Sequence, residues 1–464
     1  MSGIFGVVSK KDCAQTLFYG TDYHSHLGTQ FAGMAVWGTS LNKKIHDISS
    51  AQFKSKFFQE LEGLRGNKGI GVISALYPQP IVVNSRFGQF AIVTNGFIEN
   101  AGELAEEMLS EGESFSDSFD GRINAAELVA KLINRGISIS EGIEKMFAQI
   151  RGSCSLLILT KDGIWAGRDR FGYTPLAVGE KQGELAVTTE TSAFSNLGFS
   201  IRKFLAPREV VFIDKKGMRT KIAGSRKKQV CSFLWIYSGF PASTYEGVNV
   251  ETVRERCGAF LAKSDAVKVE LVAGIPDSGT THAIGYAIQS RLPFRRPLVK
   301  YTPGFDRSYT PPSQQRRDLI AKMKLVAIRD IIKNKKIVVC DDSIVRGTQL
   351  KNFTLQKLWS NHAREVHLRI ACPPLMFPCK FNYSTRSSSE LVTRRAIKSI
   401  EGREPRDISA YLDENAPQFK RMVSWIARDI NATSLKYQRL DDMIRAIGLP
   451  RQDLCLYCWT GKAI

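Results

Sequence analysis

The stretch IVVCDDSIVRGT, residues 337–348, holds the densest set of chemical groups in the chain. Four apolar residues read as a buried strand that delivers Asp341 and Asp342 to the carboxyl edge of a sheet, where open α/β folds bind ligands. Ser343, Arg346, Gly347 and Thr348 follow as a turn that opens a helix. Backbone N–H groups and a hydroxyl at such a turn suit a monophosphate. The two carboxylates stand where they can hydrogen-bond sugar hydroxyls or help to hold a metal. A second stretch, GIPDSG at 274–279, runs a strand into a small, hydroxyl-bearing turn. Its backbone suits a pyrophosphate, and Asp277 or Ser278 is placed to meet Mg²⁺, which reaches nucleotides through substrate oxygens and one or two protein ligands. Residues 300–325, KYTPGFDRSYTPPSQQRRDLIAKMKL, read as a lid that offers Lys300, Arg307, Arg317 and Lys324 to a pyrophosphate. An acidic loop and a solvated basic loop without a ligand are the plain alternatives.

The opening MSGIFGVV raises a different chemistry. A small residue at position 2 predicts removal of Met1, which leaves Ser2 at the start of a buried strand. A nucleophile in that place can use its own α-amine as base. Near the other end, CLYC contributes a C-x₂-C pair, Cys455 and Cys458.

The elements that must position these groups fall into two kinds. Over the first 230 residues, short apolar or alternating runs such as IFGVV, GMAVWG, GIGVIS, QFAIVTNG and SLLILT are broken by Gly, Asn or Asp, and read as strands. AGELAEEMLSEG (101–112) and AAELVAKLINRG (125–136) read as helices, the second with Leu128, Leu132 and Ile133 on one face. This predicts a layered α+β domain. From about residue 250, strands alternate with helices: VELVAG before HAIGYAIQS, KKIVVCDD before a helix, then REVHLRIACPP. That alternation predicts a parallel sheet. The boundary is expected near the basic stretch 215–228.

Composition narrows the class. The 464 residues are 43% hydrophobic and 24% charged, as in an ordinary globular protein of two or three domains. No apolar run approaches the length of a transmembrane helix, and no secretory signal is visible. Nine cysteines without such a signal point to a reducing cytoplasm. The net charge of +20 suits a polyanionic ligand such as a phosphate ester. The basic stretches 215–228 and 380–406 lack interleaved aromatics, helix-turn-helix patterning and zinc-finger spacing, so nucleic acid is not the expected partner.

Over nearly its whole length the sequence resembles the glutamine phosphoribosylpyrophosphate amidotransferases, or amidophosphoribosyltransferases. The resemblance is carried by GIPDSG, PSQ (312–314), MKL (323–325), DDSIVRGT, CPP (372–374) with Cys379, and CLYCWTGK (455–462). It implies an α+β N-terminal-nucleophile, class II glutaminase-like layered domain over 1–230. An α/β type I phosphoribosyltransferase domain follows over 231–464. In that family the first domain releases ammonia from glutamine. The second adds the ammonia to C1 of phosphoribosyl pyrophosphate (PRPP), giving phosphoribosylamine and pyrophosphate at the head of purine synthesis. On this basis Asp277, Ser278, Lys300, Arg307, Lys324, Asp341, Asp342, Ser343, Arg346, Gly347 and Thr348 bind PRPP. Mg²⁺ is met by Ser278, Asp341 and Asp342. The resemblance also joins Cys231 and Cys379 to Cys455 and Cys458 as ligands of a structural [4Fe–4S] cluster. From spacing alone a four-cysteine zinc site is equally open. It further implies a homotetramer or homodimer, and purine nucleotides as inhibitors.

The front half departs from the family's chemistry. The nucleophile is Ser2 where the family uses Cys, whose thiolate is far more nucleophilic near neutrality. The family's Gly-His-x-Arg-Tyr falls on GVISALY (71–77), so the Arg that grips the α-carboxylate becomes Ser74. Its Ser-Asp-Thr-Glu falls on Asn124–Glu127, so the Asp that takes the α-amine becomes Ala125. Its Gln-His-Arg-Gly reads Ser25-His26-Leu27-Gly28. TNGFI (94–98) survives, with Asn95 and the Gly96 N–H at the oxyanion-hole positions, or as a structural turn. The expectation is a glutaminase-dead domain on a transferase that takes ammonia or another amine. The competing readings are a slow glutamine-dependent enzyme using Ser2, and an inactive PRPP- or nucleotide-binding regulator.

Overall fold

The computed structural model describes residues 1–301, 323–385 and 387–463. The chain divides into two compact units. The first is Met1–Cys231 with two later excursions, Ala242–Gly247 and Lys380–Ser384. The second is Ser232–Pro241, Val248–Cys379 and Thr385–Ile464.

Two antiparallel sheets form the centre of the first unit. One has seven strands, in the spatial order Ser200–Phe204, Ala177–Lys181, Glu184–Thr188, Gly3–Val8, Lys68–Ser74, Phe31–Trp37 and Leu41–Asp47. The other has six, in the order Gly217–Ile222, Val210–Asp214, Ile164–Gly167, Ser155–Thr160, Gly88–Asn95 and Ile81–Ser85. Side chains alternate across each strand. Along Gly3–Val8, Ile4 and Val8 enter the core between the sheets with Ala91, Val93, Leu157 and Leu159. Phe5 and Val7 turn the other way, toward helix Ala14–Asp22. The outer face of the six-stranded sheet is covered by helices Ala101–Ser110, Ala125–Asn134 and Ile139–Gln149. The layers therefore run helix, sheet, sheet, helix. Close approach of helix to sheet needs glycine: a Cβ on Gly71 would lie 2.0 Å from the Thr21 hydroxyl.

The basic stretch 215–228 is not a bare linker. Gly217–Ile222 pairs with Val210–Asp214 as a hairpin at the sheet edge, and Arg219 bonds to Asp214 across it. Helices Ala14–Asp22 and Ile139–Gln149 were not legible as helical patterns among so many strands. Side-chain bonds explain both excursions. Ser243 and Tyr245 donate to the buried Glu190 carboxylate, and Phe381 stacks on Tyr173 with ring centroids 3.9 Å apart.

The second unit is built on a four-stranded parallel sheet in the order Leu271–Gly274, Lys336–Asp341, Glu365–Ile370 and Ser434–Tyr437. Both inner strands are covered on both faces: Ile337–Cys340 are apolar and buried, and Glu365–Ile370 buries Val366, Leu368 and Ile370 as well as the polar His367 and Arg369. Helices Val250–Lys263, Thr280–Ser290, Val392–Glu401 and Pro417–Asp429 belong to this unit. Among the described residues no helix is long and apolar enough to cross a membrane.

Candidate functional site

The parallel sheet brings the two phosphate-type motifs side by side. Gly274 and Cys340 are register partners on adjacent strands. The loop 275–279 folds back on the neighbouring strand, with Ile275 N–H donating to the Cys340 carbonyl at 3.0 Å. A Cβ on Gly279 would lie 2.1 Å from that same oxygen, so only glycine allows the approach. Ser278 is thereby carried to the acid pair, and its hydroxyl donates to Asp341 Oδ1 at 2.8 Å. The Asp342 N–H donates to the same oxygen at 3.0 Å, and the Ser343 hydroxyl donates to Asp342 Oδ2 at 2.5 Å.

Both carboxylates are buried. Burial, and then the Asp342 charge, push Asp341 well above the usual carboxylate range. Burial also raises Asp342. Neither acid forms an ion pair among the described residues. Two buried carboxylates and a hydroxyl, without a neutralising side chain, are a donor set that fits a hard divalent cation. Their oxygens also suit sugar hydroxyls.

Other residues of this group are directed elsewhere. Asp277 faces Lys300 in an ion pair of 2.9 Å and leaves the acid pair to Ser278. Lys300 and Lys324 stand together at the end of a two-stranded ribbon, Leu298–Lys300 with Leu325–Ala327; the Tyr301 N–H donates to the Lys324 carbonyl. Arg346 reaches out to Glu390, a partner that no motif announced. Gly347 takes a φ of +75° in the turn before Thr348, a conformation that favours glycine. Arg307, Arg317 and PSQ (312–314) lie outside the described residues.

In the first unit, strand ends from both sheets meet around one cavity of about 50 Å³. Ser2 and Ser74 come from neighbouring strands of the seven-stranded sheet, where Gly3 pairs with Ile73. Asn95 ends a strand of the six-stranded sheet, opposite Ser155. Gly96, Ala125 and Ser153 complete this part of the lining. The Ser2 hydroxyl accepts from the Ala75 N–H at 3.1 Å. The chain's amino group, on Met1, donates to the Tyr383 carbonyl at 3.0 Å. Gly96 has φ +134°, and a Cβ there would lie 2.3 Å from the Ser153 carbonyl.

No charged side chain lines this cavity. Ser74, 1% exposed, stands where the resemblance places an arginine, and Ala125 where it places an aspartate. The rest of the Asn124–Glu127 stretch has structural work. Asn124 caps helix Ala125–Asn134, accepting from the Ala126 N–H at 2.9 Å. Glu127 accepts from the Ser116 and Asp117 N–H groups. Leu27 is not part of the cavity lining. Ser153 and Tyr383 are lining residues that the motifs did not indicate. Ser153 sits in RGSCS, a small hydroxyl-rich turn of the kind that marks GIPDSG, but Tyr383 has no local signal at all.

Five cysteines, Cys13, Cys154, Cys257, Cys340 and Cys372, are core residues. Burial pushes the thiols of Cys13 and Cys257 up to about 12. Cys231 and Cys455 are also buried, whereas Cys379 and Cys458 are partly exposed. Among the described residues no group of three or more His, Cys, Asp or Glu side chains is arranged to hold a metal ion.

Fold and sites together define a two-part enzyme of the phosphoribosyltransferase class, with an amidotransferase-type layered unit ahead of a parallel-sheet unit. Residues 70–196 match the family model described as a glutamine amidotransferase domain. The chain is 31% identical to the amidophosphoribosyltransferase of Methanocaldococcus jannaschii, covering 100% of this chain and 97% of the relative. It is 28% identical to that of Bacillus subtilis, covering 99% and 93%. A solved structure of B. subtilis glutamine PRPP amidotransferase complexed with ADP and GMP superposes with a TM-score of 0.84 at 28% identity, covering 99% of this chain and 96% of that one. The chain belongs to the amidophosphoribosyltransferase family.

Proposed function

We propose that this chain transfers an amine to C1 of PRPP, forming phosphoribosylamine and pyrophosphate, and takes ammonia or another free amine because its own glutaminase is silent. The observation that carries the reading is the buried pair Asp341 and Asp342 with Ser278 bonded to it; the silent glutaminase rests on the cavity lining of the first unit, where Ser2, Ser74 and Ala125 stand at positions that the resemblance assigns to Cys, Arg and Asp. Asp341 and Asp342 hold the ribose hydroxyls, and the turn Ser343–Thr348 takes the 5-phosphate. Lys300 and Lys324 face the pyrophosphate end. Ser278 and the two acids would hold Mg²⁺, which would supply neutralising charge for the departing pyrophosphate. The C1–O bond breaks, the amine nitrogen forms the new bond to C1 and then loses a proton. Positioning and electrostatics suffice for this, and no protein nucleophile is needed.

The same reading assigns the chain to the cytoplasm as a homo-oligomer, inhibited by purine nucleotides. A relative solved with ADP and GMP supports that last point. Cys231, Cys379, Cys455 and Cys458 are proposed as [4Fe–4S] ligands, on resemblance and on the C-x₂-C spacing. Iron and sulfide analysis of anaerobically purified protein checks this; stoichiometric zinc without iron would replace the cluster with a zinc site.

The deciding experiment is pyrophosphate release from PRPP and Mg²⁺ with the nitrogen donor varied. Release with ammonium and none with glutamine is the expected result. Glutamine-dependent release that Ser2→Ala abolishes would restore the glutaminase. No release with either donor would favour a PRPP-binding regulator.

A further inference from the structure

The basic stretch 215–228 has no aromatic residue of its own, and the fold of the first unit brings aromatics to it. Trp165, Phe212 and Arg219 are register partners on three adjacent strands, so they form one row across the sheet. The Trp165 and Phe212 rings are 5.1 Å apart. The Arg219 guanidinium lies over Phe212, 5.4 Å from the ring centroid, and the Lys221 ammonium lies 5.8 Å from that of Trp165. These distances are within cation–π range. Beyond Ile222 the chain runs past Pro207, whose carbonyl accepts from the Ser225 N–H, and past Phe171, whose carbonyl accepts from the Gln229 N–H. Phe171 is flanked in the same way, by Arg170 at 5.2 Å and Lys227 at 5.8 Å. Trp165 and Phe171 are only half-buried. Two aromatic stations therefore stand along one basic track.

Charge is concentrated on the same track. Residues 201–231 hold ten Lys or Arg and only two acids, Glu209 and Asp214. Arg202, Lys203, Arg208, Arg219 and Lys228 have acid partners. Lys215, Lys216, Lys221, Arg226 and Lys227 are exposed, and among the described residues none of them has an acid within ion-pair distance. Gly217–Ile222 is the last strand of its sheet, so no further strand covers its outer edge. An acidic peptide would answer the charges and leave the rings unused. A phosphodiester strand with unpaired bases answers both, whereas a duplex keeps its base faces stacked inside.

We propose that the track from Lys215 to Lys227 binds single-stranded nucleic acid. Phosphates meet the exposed lysines and Arg226. Bases stack at Trp165 and Phe171, on the ring itself or on the guanidinium plane beside it. The proposal goes beyond the transferase reading and does not depend on it.

Fluorescence anisotropy of the full chain with a labelled single-stranded RNA of about 12 nucleotides tests it. Contact with about four phosphates predicts an affinity that falls roughly fifty-fold between about 50 and about 200 mM salt. The double variant Lys215→Glu, Lys216→Glu should weaken binding at least ten-fold. Trp165→Leu should weaken it at least five-fold and leave the salt dependence as it was, because it removes a base contact and no charge. Phe171→Leu makes the same test at the second station if Trp165→Leu fails to fold. Polyphosphate and polyglutamate, matched to the RNA in charge, should each compete at least ten-fold less well. No binding at about 50 mM salt, or affinity unchanged in the folded charge variant or in a folded aromatic variant, would overturn the proposal. So would polyphosphate or polyglutamate competing as well as RNA, which would make the track a surface for charge alone or for acidic peptides.

Discussion

Asp341 and Asp342 are held buried at the expense of stability. Both are pushed upward by burial. A carboxyl whose folded value lies above its ordinary 3.8 binds its proton more tightly in the folded chain. Its contribution to stability is therefore largest at low pH and falls as pH rises from 3.8 through the raised folded value. Asp341→Asn is expected to raise stability near pH 7 by about 1 kcal/mol or more, to flatten this part of the pH profile, and to lower PRPP-dependent turnover at least 100-fold. Thermal melts from pH 4 to 8 beside pyrophosphate assays check all three. A loss of stability in the variant would mean that the acids are not in conflict. At Ser2 the expectation is the opposite: Ser2→Ala leaves ammonium-dependent release within two-fold. Ser2→Cys alone does not create glutamine hydrolysis, because Ser74 and Ala125 still offer nothing to the α-carboxylate and α-amine. Ammonia measured after incubation of Ser2→Cys with glutamine would show otherwise.

Elements of the first unit act as frames for the positions that line its cavity. Helix Ala125–Asn134 starts on an Asn124 cap, and the Asn124 side chain also donates to the Pro78 carbonyl at 2.8 Å. Asn124→Ala should cost about 1–2 kcal/mol in urea denaturation without changing ammonium-dependent turnover. Gly96 is under a stricter demand, since its φ of +134° and its contact with the Ser153 carbonyl exclude a side chain. Gly96→Ala should cost about 2–3 kcal/mol. Retention of this backbone is what keeps Asn95 aimed into the cavity. Most of these elements were legible in sequence. IFGVV, GIGVIS and QFAIVTNG alternate or run apolar between turn residues, and the structure has strands there. Helix Ala14–Asp22 was not, because its buried face includes Gly20 and Thr21 beside Leu17 and Phe18, and such small residues give no apolar stripe. They are small because Phe5 and Gly71 pack directly against them.

For the whole molecule, the charge of +20 is the property that composition states directly. It sets up a field that draws polyanions and is screened by salt. Raising NaCl from about 0.05 to about 0.5 M should increase KM for PRPP several-fold with kcat nearly constant. Steady-state kinetics at fixed free Mg²⁺ check this; an unchanged KM would mean that the surface charge serves no role in capture. The family likeness extends over the full chain, so the front unit has been kept entire along with the transferase.

Sequence alone determined the order and type of the two units and the strand-to-turn placement of Asp341 and Asp342, and through the resemblance it raised the expectation that Ser2, Ser74 and Ala125 stand at the family's Cys, Arg and Asp positions. These are local matters, read from residue type, period and spacing. Only tertiary structure decided that Asp277 serves Lys300 while Ser278 serves Asp341, and that Arg346 turns to Glu390. Only it collected Ser2, Ser74, Asn95, Ala125 and Ser153 at one cavity and left Asn95 there without a partner. A side chain's partner depends on which strand ends converge, and that follows from sheet order, which no window of sequence contains.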